Sequence, residues 1–485
     1  MKILLINPSW TLTQNRFYAG SRPLVPPIGL AYIAAVLEND GFEVFARDQS
    51  AAGSSNASLV LDMLRIKPDV IAFSCFTVAM ENVNKIISLA RTYGFTGKII
   101  LGNVHPTALP DVSLRDTGAD IVVRGEGEIS MLEACRALKS SLPLKGIKGI
   151  SYQEAGKIVN NPDRELIEDL DSLPYPAWHL FDISIYKDCF SFGSYNENML
   201  SVTASRGCVN RCSFCAQHNI FPGIRLRKIK NVVDEIEYMY EKYGVDRFGF
   251  PDSCFPISEK IGLEFTGELV RRGLHKKIAW HCQNRVNMVT ERLLKNMSAS
   301  SCRAIFYGFE SGNQRVLYES GKNTELSDAY NAMKWTKKAR IRSSGFFMFG
   351  LPGDNWESCL DTIKFARRLD PDMAVFNSTI PYPGTDLYDM IPDKEKYEYE
   401  SFNSWGLFAS VDKVLRWRPD GMSNRQVKKA HRRGIMEFYL RPWKIWKLLV
   451  DRVFPLRYLL YGGFVVIVIV LSIVPQAVNR LKAGE

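Results

Sequence analysis

Gly207-Cys208-Val209-Asn210-Arg211-Cys212-Ser213-Phe214-Cys215 places three thiols on one short loop. Thiolates at this spacing suit a single [4Fe-4S] cube, because the protein holds three irons and the fourth keeps an open position where a small cofactor can bind and be reduced. Two other readings of the same residues stand beside it. A zinc site would be completed by a fourth Cys or His at short spacing, and His218 is placed to supply one. A disulfide reading is weaker, since ten cysteines are spread over 485 residues and no secretory signal opens the chain, which fits a reducing compartment. The other seven, Cys75, Cys135, Cys189, Cys254, Cys282, Cys302 and Cys359, stand singly in mostly apolar surroundings. They read as small buried hydrophobes.

Outward from this loop the apolar runs alternate with helical periodicity. A strand predicted over residues 199–204 leads into the cysteines, and further strands are predicted over 247–250, 278–282, 304–309, 344–349 and 374–379. Six strand–helix repeats imply an α/β fold with a partial (β/α)6 barrel over residues 199–400, its reactive groups on loops at the strand C-termini. Toward the N-terminus, strands over 2–7, 43–46, 70–74, 98–101 and 120–123, with a helix over 29–39, imply a doubly wound, Rossmann-like domain over residues 1–141. Ligands of such sheets sit at the strand carboxyl ends. Those ends carry Asn7-Pro8-Ser9, Ser74-Cys75-Phe76-Thr77, Gly102-Asn103-Val104-His105-Pro106-Thr107 and Arg124-Gly125-Glu126-Gly127-Glu128, small and polar residues that leave room for a large cofactor. Residues 142–198, with Asp169-Leu170-Asp171-Ser172-Leu173-Pro174-Tyr175-Pro176, read as a linker.

In the N-terminal half, Pro26-Pro27-Ile28-Gly29-Leu30-Ala31-Tyr32, the Ser74 and Thr77 pair, His105-Pro106-Thr107 and Arg124-Gly125-Glu126-Gly127-Glu128 occur in an order that resembles the cobalamin-binding domain of many radical S-adenosylmethionine enzymes. The second half resembles the radical core of that family. Its matches are Thr203-Ala204-Ser205-Arg206-Gly207-Cys208 leading into the triad, Phe250-Pro251-Asp252-Ser253-Cys254-Phe255, Gly308-Phe309-Glu310-Ser311-Gly312 and Phe349-Gly350-Leu351-Pro352-Gly353. The resemblance implies that Cys208, Cys212 and Cys215 ligate the cluster, that Phe214 lies near the adenine of S-adenosylmethionine, and that Glu310, helped by Asp252, contacts its polar groups. Ser253 stands where relatives commonly carry a second acid. The resemblance also implies cobalamin contacts from Ser74, Thr77, Gly102, Gly125 and Glu126. Domains of the methionine synthase type place a cobalt-ligating His after the first strand; this chain has Asn7-Pro8-Ser9-Trp10 there, which implies cobalt without a protein His beneath it. His105 then shapes its own loop.

Several residues keep two readings. Glu310 is either a cofactor ligand or a helix cap, and Arg285 either holds a carboxylate or phosphate or makes an internal ion pair. Phe346, Phe347 and Phe349 read as packing, Gly350 and Gly353 as turn formers, and Tyr382-Pro383-Gly384-Thr385 as a loop able to cover substrate. The activity implied by the resemblance is cleavage of S-adenosylmethionine to a 5′-deoxyadenosyl radical, followed by methylation of an unactivated carbon or phosphorus from methylcobalamin. An external flavodoxin- or ferredoxin-type donor would supply electrons. The alternatives are a radical oxidative cyclase or ring-rearranging enzyme, resembling the anaerobic magnesium-protoporphyrin monomethyl ester cyclase, and a non-catalytic cobalamin-binding sensor or electron carrier.

The formal charge of +10 does not indicate nucleic acid. Lys337, Lys338, Arg340 and Arg342 read as a solvated helix end, and much of the excess is late, in Lys428, Lys429, Arg432, Arg433, Arg441, Lys444, Lys447, Arg452 and Arg457. Within this basic extension, residues 401–457, the residues Trp443, Trp446, Leu449, Val450, Val453 and Phe454 recur at helical spacing, the pattern of an interfacial helix. Residues 458–479 carry no charge and have the length of a single span; a peripheral or re-entrant anchor, or a hydrophobic tail buried against the protein, are the other readings. The expected location is the cytoplasmic side of a membrane, attached through this segment, with a lipophilic small molecule as substrate.

Overall fold

The computed structural model describes residues 1–9, 25–187, 197–391 and 417–450. The N-terminal sheet has seven strands: β1 (Lys2–Asn7), β2 (Glu43–Asp48), β3 (Val70–Ser74), β4 (Lys98–Gly102), β5 (Ile121–Val123), β6 (Ile150–Glu154) and β7 (Lys157–Asn160), in the order β2-β1-β3-β4-β5-β6-β7. The first five are mutually parallel. Ile3, Leu4, Leu5 and Ile6 of β1 are all fully buried, the unbroken apolar run required of a strand covered on both faces.

The expected linker over 142–198 is corrected at its start. Residues 150–160 form the β6–β7 hairpin, which extends the first sheet antiparallel to β5. Its turn places Ala155 and Gly156 at positive φ, and the strands are too short and polar for their pattern to stand out. Beyond it, Ala177, Trp178 and Tyr186 are buried in one apolar core that runs from Ile3 and Leu5 to Val232 and Phe248 of the second domain. Residues 177–186 of the expected linker are therefore part of the joint between domains.

The second domain begins with β8 (Met199–Ser201) and contains β11 (Arg247–Phe250), β12 (Ala279–Asn284), β13 (Cys302–Glu310), β14 (Arg342–Phe349) and β15 (Met373–Ser378). These six are parallel in the order β15-β14-β13-β12-β11-β8, an open six-stranded barrel wall. A two-stranded antiparallel ribbon, β9 (Ser205–Cys208) with β10 (Gly223–Leu226), carries the first cysteine. Past the barrel, the helix Asn424–Tyr439 starts at a capping box of Ser423 and Gln426. It buries Phe438 against Phe376 of β15, ring centroids 6.0 Å apart. A helix is present over Pro442–Val450, within the stretch where an interfacial helix is expected. Among the described residues no helix is long and apolar enough to cross a membrane. The segment 458–479 lies outside the described residues, as do residues 401–416.

Candidate active site

The cysteine loop leaves β9 and crosses the C-terminal end of the barrel. Cys212 is buried, and Cys208 and Cys215 are partly exposed. Two thiols receive hydrogen bonds from side chains: Asn210 Nδ2 donates to Cys208 Sγ at 3.6 Å, and Arg285 Nη1 to Cys212 Sγ at 3.8 Å. A hydrogen bond from Cys254, aided by Asn210 and Arg285, holds the Cys208 thiol down at about 5, while burial pushes Cys215 up to about 11. No group of three His, Cys, Asp or Glu side chains among the described residues converges on a point suited to one metal ion. A cubane instead takes its thiolates at separate corners. His218 does not complete a zinc set, since its Nε2 lies 3.2 Å from Asp386 Oδ1.

Asp252 lies behind this loop. Its Oδ1 accepts from the Ala204 N–H at 3.1 Å, from Ser205 Oγ at 2.6 Å and from the Ser205 N–H. Burial raises its carboxyl to about 6. The structure places Asp252 away from the expected cofactor contact: it fixes the backbone between β8 and β9 and is not among the residues that line the cavity. Ser253, the next residue, does face the cavity beyond.

That cavity, about 310 Å³, is lined by Ser253, Gln283, Asn284, Arg285, Phe306, Gly308, Glu310, Lys322, Phe346, Met348 and Asn377. Glu310 ends β13 at φ 63°, next to a register shift against β14. Such a conformation is uncommon in a residue with a side chain, and here it accompanies a carboxylate on the cavity wall. The helix-cap alternative fails, because Asn313 caps the helix Gln314–Glu319. Lys322 Nζ lies 3.0 Å from Glu310 Oε1, both side chains at least nine-tenths buried. Nothing local in Glu319-Ser320-Gly321-Lys322 signals this role; Lys322 reaches the cavity only because the chain turns back after the helix. Arg285 makes no ion pair among the described residues. Its guanidinium is held by Lys322 O, Asn323 O at 3.5 Å and Asn287 Oδ1 at 3.4 Å, which fixes it beside Cys212. Phe214, between two cysteines, is partly exposed.

The packing expectation for the three phenylalanines holds for Phe347 and Phe349, both fully buried, and is corrected for Phe346. Side chains alternate along a strand, so Phe346 and Met348 line the cavity while their neighbours enter the core. Phe346 stacks on Phe306 with centroids 6.3 Å apart.

In the first domain Ser74, Thr77, Gly102 and Gly125 stand together at the carboxyl ends of the adjacent parallel strands β3, β4 and β5. Asn103, at φ 81°, donates to Ser74 Oγ at 2.8 Å. Thr107 Oγ1 accepts from the Gly125 N–H at 3.1 Å. His105 is fully buried, its Nδ1 lies 3.1 Å from Thr77 Oγ1, and burial pushes it down to about 3. A neutral ring held this way shapes the loop.

Glu126 is placed elsewhere. Its carboxylate is bound by Arg206 at 3.0 Å, by Arg225 at 2.8 Å and by the Ile167 N–H at 2.7 Å. Arg206 also pairs with Glu128 at 2.5 Å and lies over the Tyr32 ring at 5.4 Å. The expected cobalamin contact at Glu126 is thus corrected to a clamp, in which two motifs of the first domain grip the strand that carries Cys208. A second contact between domains lies at Gly384, φ 87°, where an added Cβ would sit 3.2 Å from Ala108 Cβ and 3.6 Å from Ala216 Cβ. The Tyr382–Thr385 loop therefore touches both halves.

The residues present fit the expected groups: three thiols on one loop with donors aimed at two of them, opposite charges at Glu310, Lys322 and Arg285 for an amino acid moiety, and small, polar residues at the strand ends for a corrinoid. Fold and site together define a cobalamin-binding domain joined to a radical barrel. A B12 binding domain model matches residues 19–134, and a Radical SAM superfamily model matches residues 202–366. An uncharacterized methyltransferase of Pyrococcus horikoshii is 30% identical over 96% of each chain. The anaerobic magnesium-protoporphyrin IX monomethyl ester cyclase of Rubrivivax gelatinosus is 28% identical over 83% of this chain and 72% of its own. The structure of TsrM, a radical S-adenosylmethionine methyltransferase from Kitasatospora setae, with cobalamin and a [4Fe-4S] cluster bound, superposes with a TM-score of 0.65 at 18% identity, over 80% of this chain and 76% of that one. The chain belongs to the cobalamin-dependent radical S-adenosylmethionine enzymes, in the group that holds methyltransferases and the porphyrin cyclases. Its cofactors are a [4Fe-4S] cluster, S-adenosylmethionine and cobalamin.

Proposed function

We propose that this enzyme methylates an unactivated carbon, or a phosphorus centre, of a largely apolar small molecule. When bound, the cluster and S-adenosylmethionine supply a hydrogen-abstracting radical, and cobalamin supplies the methyl group. The observation that carries the reading is the two-ended cavity: Arg285, Glu310 and Lys322 at one end, Phe306, Phe346 and Met348 on the wall. Glu310 accepts an ammonium, and Lys322 and Arg285 attract a carboxylate, which orients S-adenosylmethionine beside the cysteine loop. The aromatic wall excludes water and holds a substrate carbon within reach. Cys208, Cys212 and Cys215 hold the cluster, Phe214 lies against the adenine, and Ser74, Thr77, Gly102 and Gly125 hold cobalamin.

The likeness to the Rubrivivax gelatinosus cyclase favours oxidative cyclisation as a second reading. One experiment separates the two. Anaerobically reconstituted enzyme, with a flavodoxin or ferredoxin as reductant, is incubated with lipid and pigment extracts, and 5′-deoxyadenosine and product masses are measured. Gain of one methyl group with deoxyadenosine is the expected result. Loss of hydrogens indicates cyclisation, and no deoxyadenosine despite a full cluster indicates a sensor. We also assign the chain to the cytoplasmic face of a membrane, on the strength of the uncharged run 458–479 and the basic residues before it.

A further inference from the structure

The helix Pro442–Val450 is docked the wrong way round for a soluble helix. Lys444, on its inner face, is fully buried. Its Nζ donates to Pro371 O, lies 3.3 Å from Asp370 Oδ1 and sits 4.6 Å above the Phe438 ring. One turn on, Lys447 pairs with Asp372 at 2.8 Å, and Arg441, just before the helix, pairs with Asp370 at 2.6 Å. The outer face carries Trp443, Ile445 and Trp446, which are 61%, 43% and 63% exposed. A surface helix ordinarily turns its apolar side to the core. Here ion pairs hold the inner side, and two indoles are left outside.

Residue type, charge and the sequence that follows indicate what covers that face. Tryptophan is the residue enriched where hydrocarbon meets water at a bilayer surface. The stretch 428–457 holds nine Lys and Arg against Glu437 and Asp451, a charge excess suited to anionic headgroups. The sequence then runs directly into the uncharged segment 458–479. We propose that Trp443, Ile445 and Trp446 lie in the headgroup layer of an anionic membrane. This proposal rests on the reading of the chain as membrane-attached, and it gives that attachment a second surface that can be tested separately.

The placement also sets the orientation of the barrel. Asp370, Pro371 and Asp372 precede β15, and Arg342, which pairs with Asp372 at 3.4 Å, opens β14. The helix therefore docks at the N-terminal ends of the strands. The cysteine loop, Glu310 and Asn377 lie at or beyond the opposite ends, about 20 Å away along a strand of this length. Membrane contact at this helix leaves the catalytic end of the barrel on the far side, so lipid affinity of the tail says nothing about the solubility of the substrate.

The test uses full-length protein, vesicles of phosphatidylglycerol and phosphatidylcholine in equal parts, and acyl chains brominated near the headgroup. Indole emission in the wild type should shift to the blue and be quenched. In Trp443→Gln/Trp446→Gln that quenching should be lost and partition should fall on the order of tenfold. In Val466→Lys/Ile469→Lys, which interrupts the tail, partition should weaken while quenching at the two indoles persists. Quenching unchanged by the double Gln variant overturns the proposal. So does protection of these indoles from aqueous iodide without vesicles, the mark of the tail folding over them, or a wild-type dimer that the Gln variant makes monomeric. Loss of binding only in the Lys variant sinks this surface and leaves the tail reading standing; binding unchanged by the Lys variant sinks the tail reading alone.

Discussion

Arg285 touches Cys212, a proposed cluster ligand, without being one itself. Its guanidinium donates to Cys212 and is fixed by backbone carbonyls on the Lys322 turn, and positive charge beside a cluster thiolate favours the reduced state. Arg285→Leu should therefore keep the cluster and lower its reduction potential, read by an electron paramagnetic resonance titration; an unchanged potential would mean the contact is only structural. Cys212→Ala should leave too few thiolates and lose both cluster absorbance and deoxyadenosine. Lys322→Met removes the sole cation paired with Glu310 among the described residues. It should raise KM for S-adenosylmethionine about tenfold or more, at the scale of a buried charged hydrogen bond, with iron content unchanged. These roles were unevenly legible in the sequence. The cysteines announce themselves by spacing, and Glu310 by its neighbours. Lys322 has no local mark, because a turn after a short helix brings it home, and Phe346 looks like its buried neighbours until strand alternation puts it on the other side.

At the scale of elements, the apolar runs placed most strands within a few residues, since a buried parallel strand has to be continuously hydrophobic. The β6–β7 hairpin escaped because Gln153, Glu154 and Lys157 break up its apolar pattern and only its inner positions touch the core. The junction between β8 and β9 depends on a carboxylate whose role was likewise hidden. Burial raises Asp252 to about 6, above its ordinary value of 3.8. A proton on it thus contributes stability that is fully present below the ordinary carboxylate range and is lost as pH rises through about 6. In metal-free protein, the stability of the wild type relative to Asp252→Asn should fall by up to about 3 kcal/mol between pH ~4 and ~7. Thermal unfolding of both proteins across that range checks it; a constant difference would show that Asp252 does not titrate there.

For the whole molecule, the clamp at Glu126 joins what the sequence separates. Motifs that resemble a cobalamin domain serve partly as grips on the strand entering the cysteine loop. Removing one partner from a buried pair leaves the other charge stranded. Glu126→Ala leaves Arg225 with no acidic partner among the described residues, while Arg206 keeps Glu128, and should cost about 3 kcal/mol, with proteolysis appearing first between the domains. Equal stability to the wild type would show that the domains are held by the Trp178 core alone.

The meeting of Ala108, Ala216 and Gly384 has a consequence of its own. Two methyl groups and a hydrogen meet there, so a larger side chain at any of the three would push the His105-Pro106-Thr107 loop of the first domain away from the segment that follows Cys215. In the proposed reaction that spacing would set the reach of the methyl group, through residues that perform no chemistry.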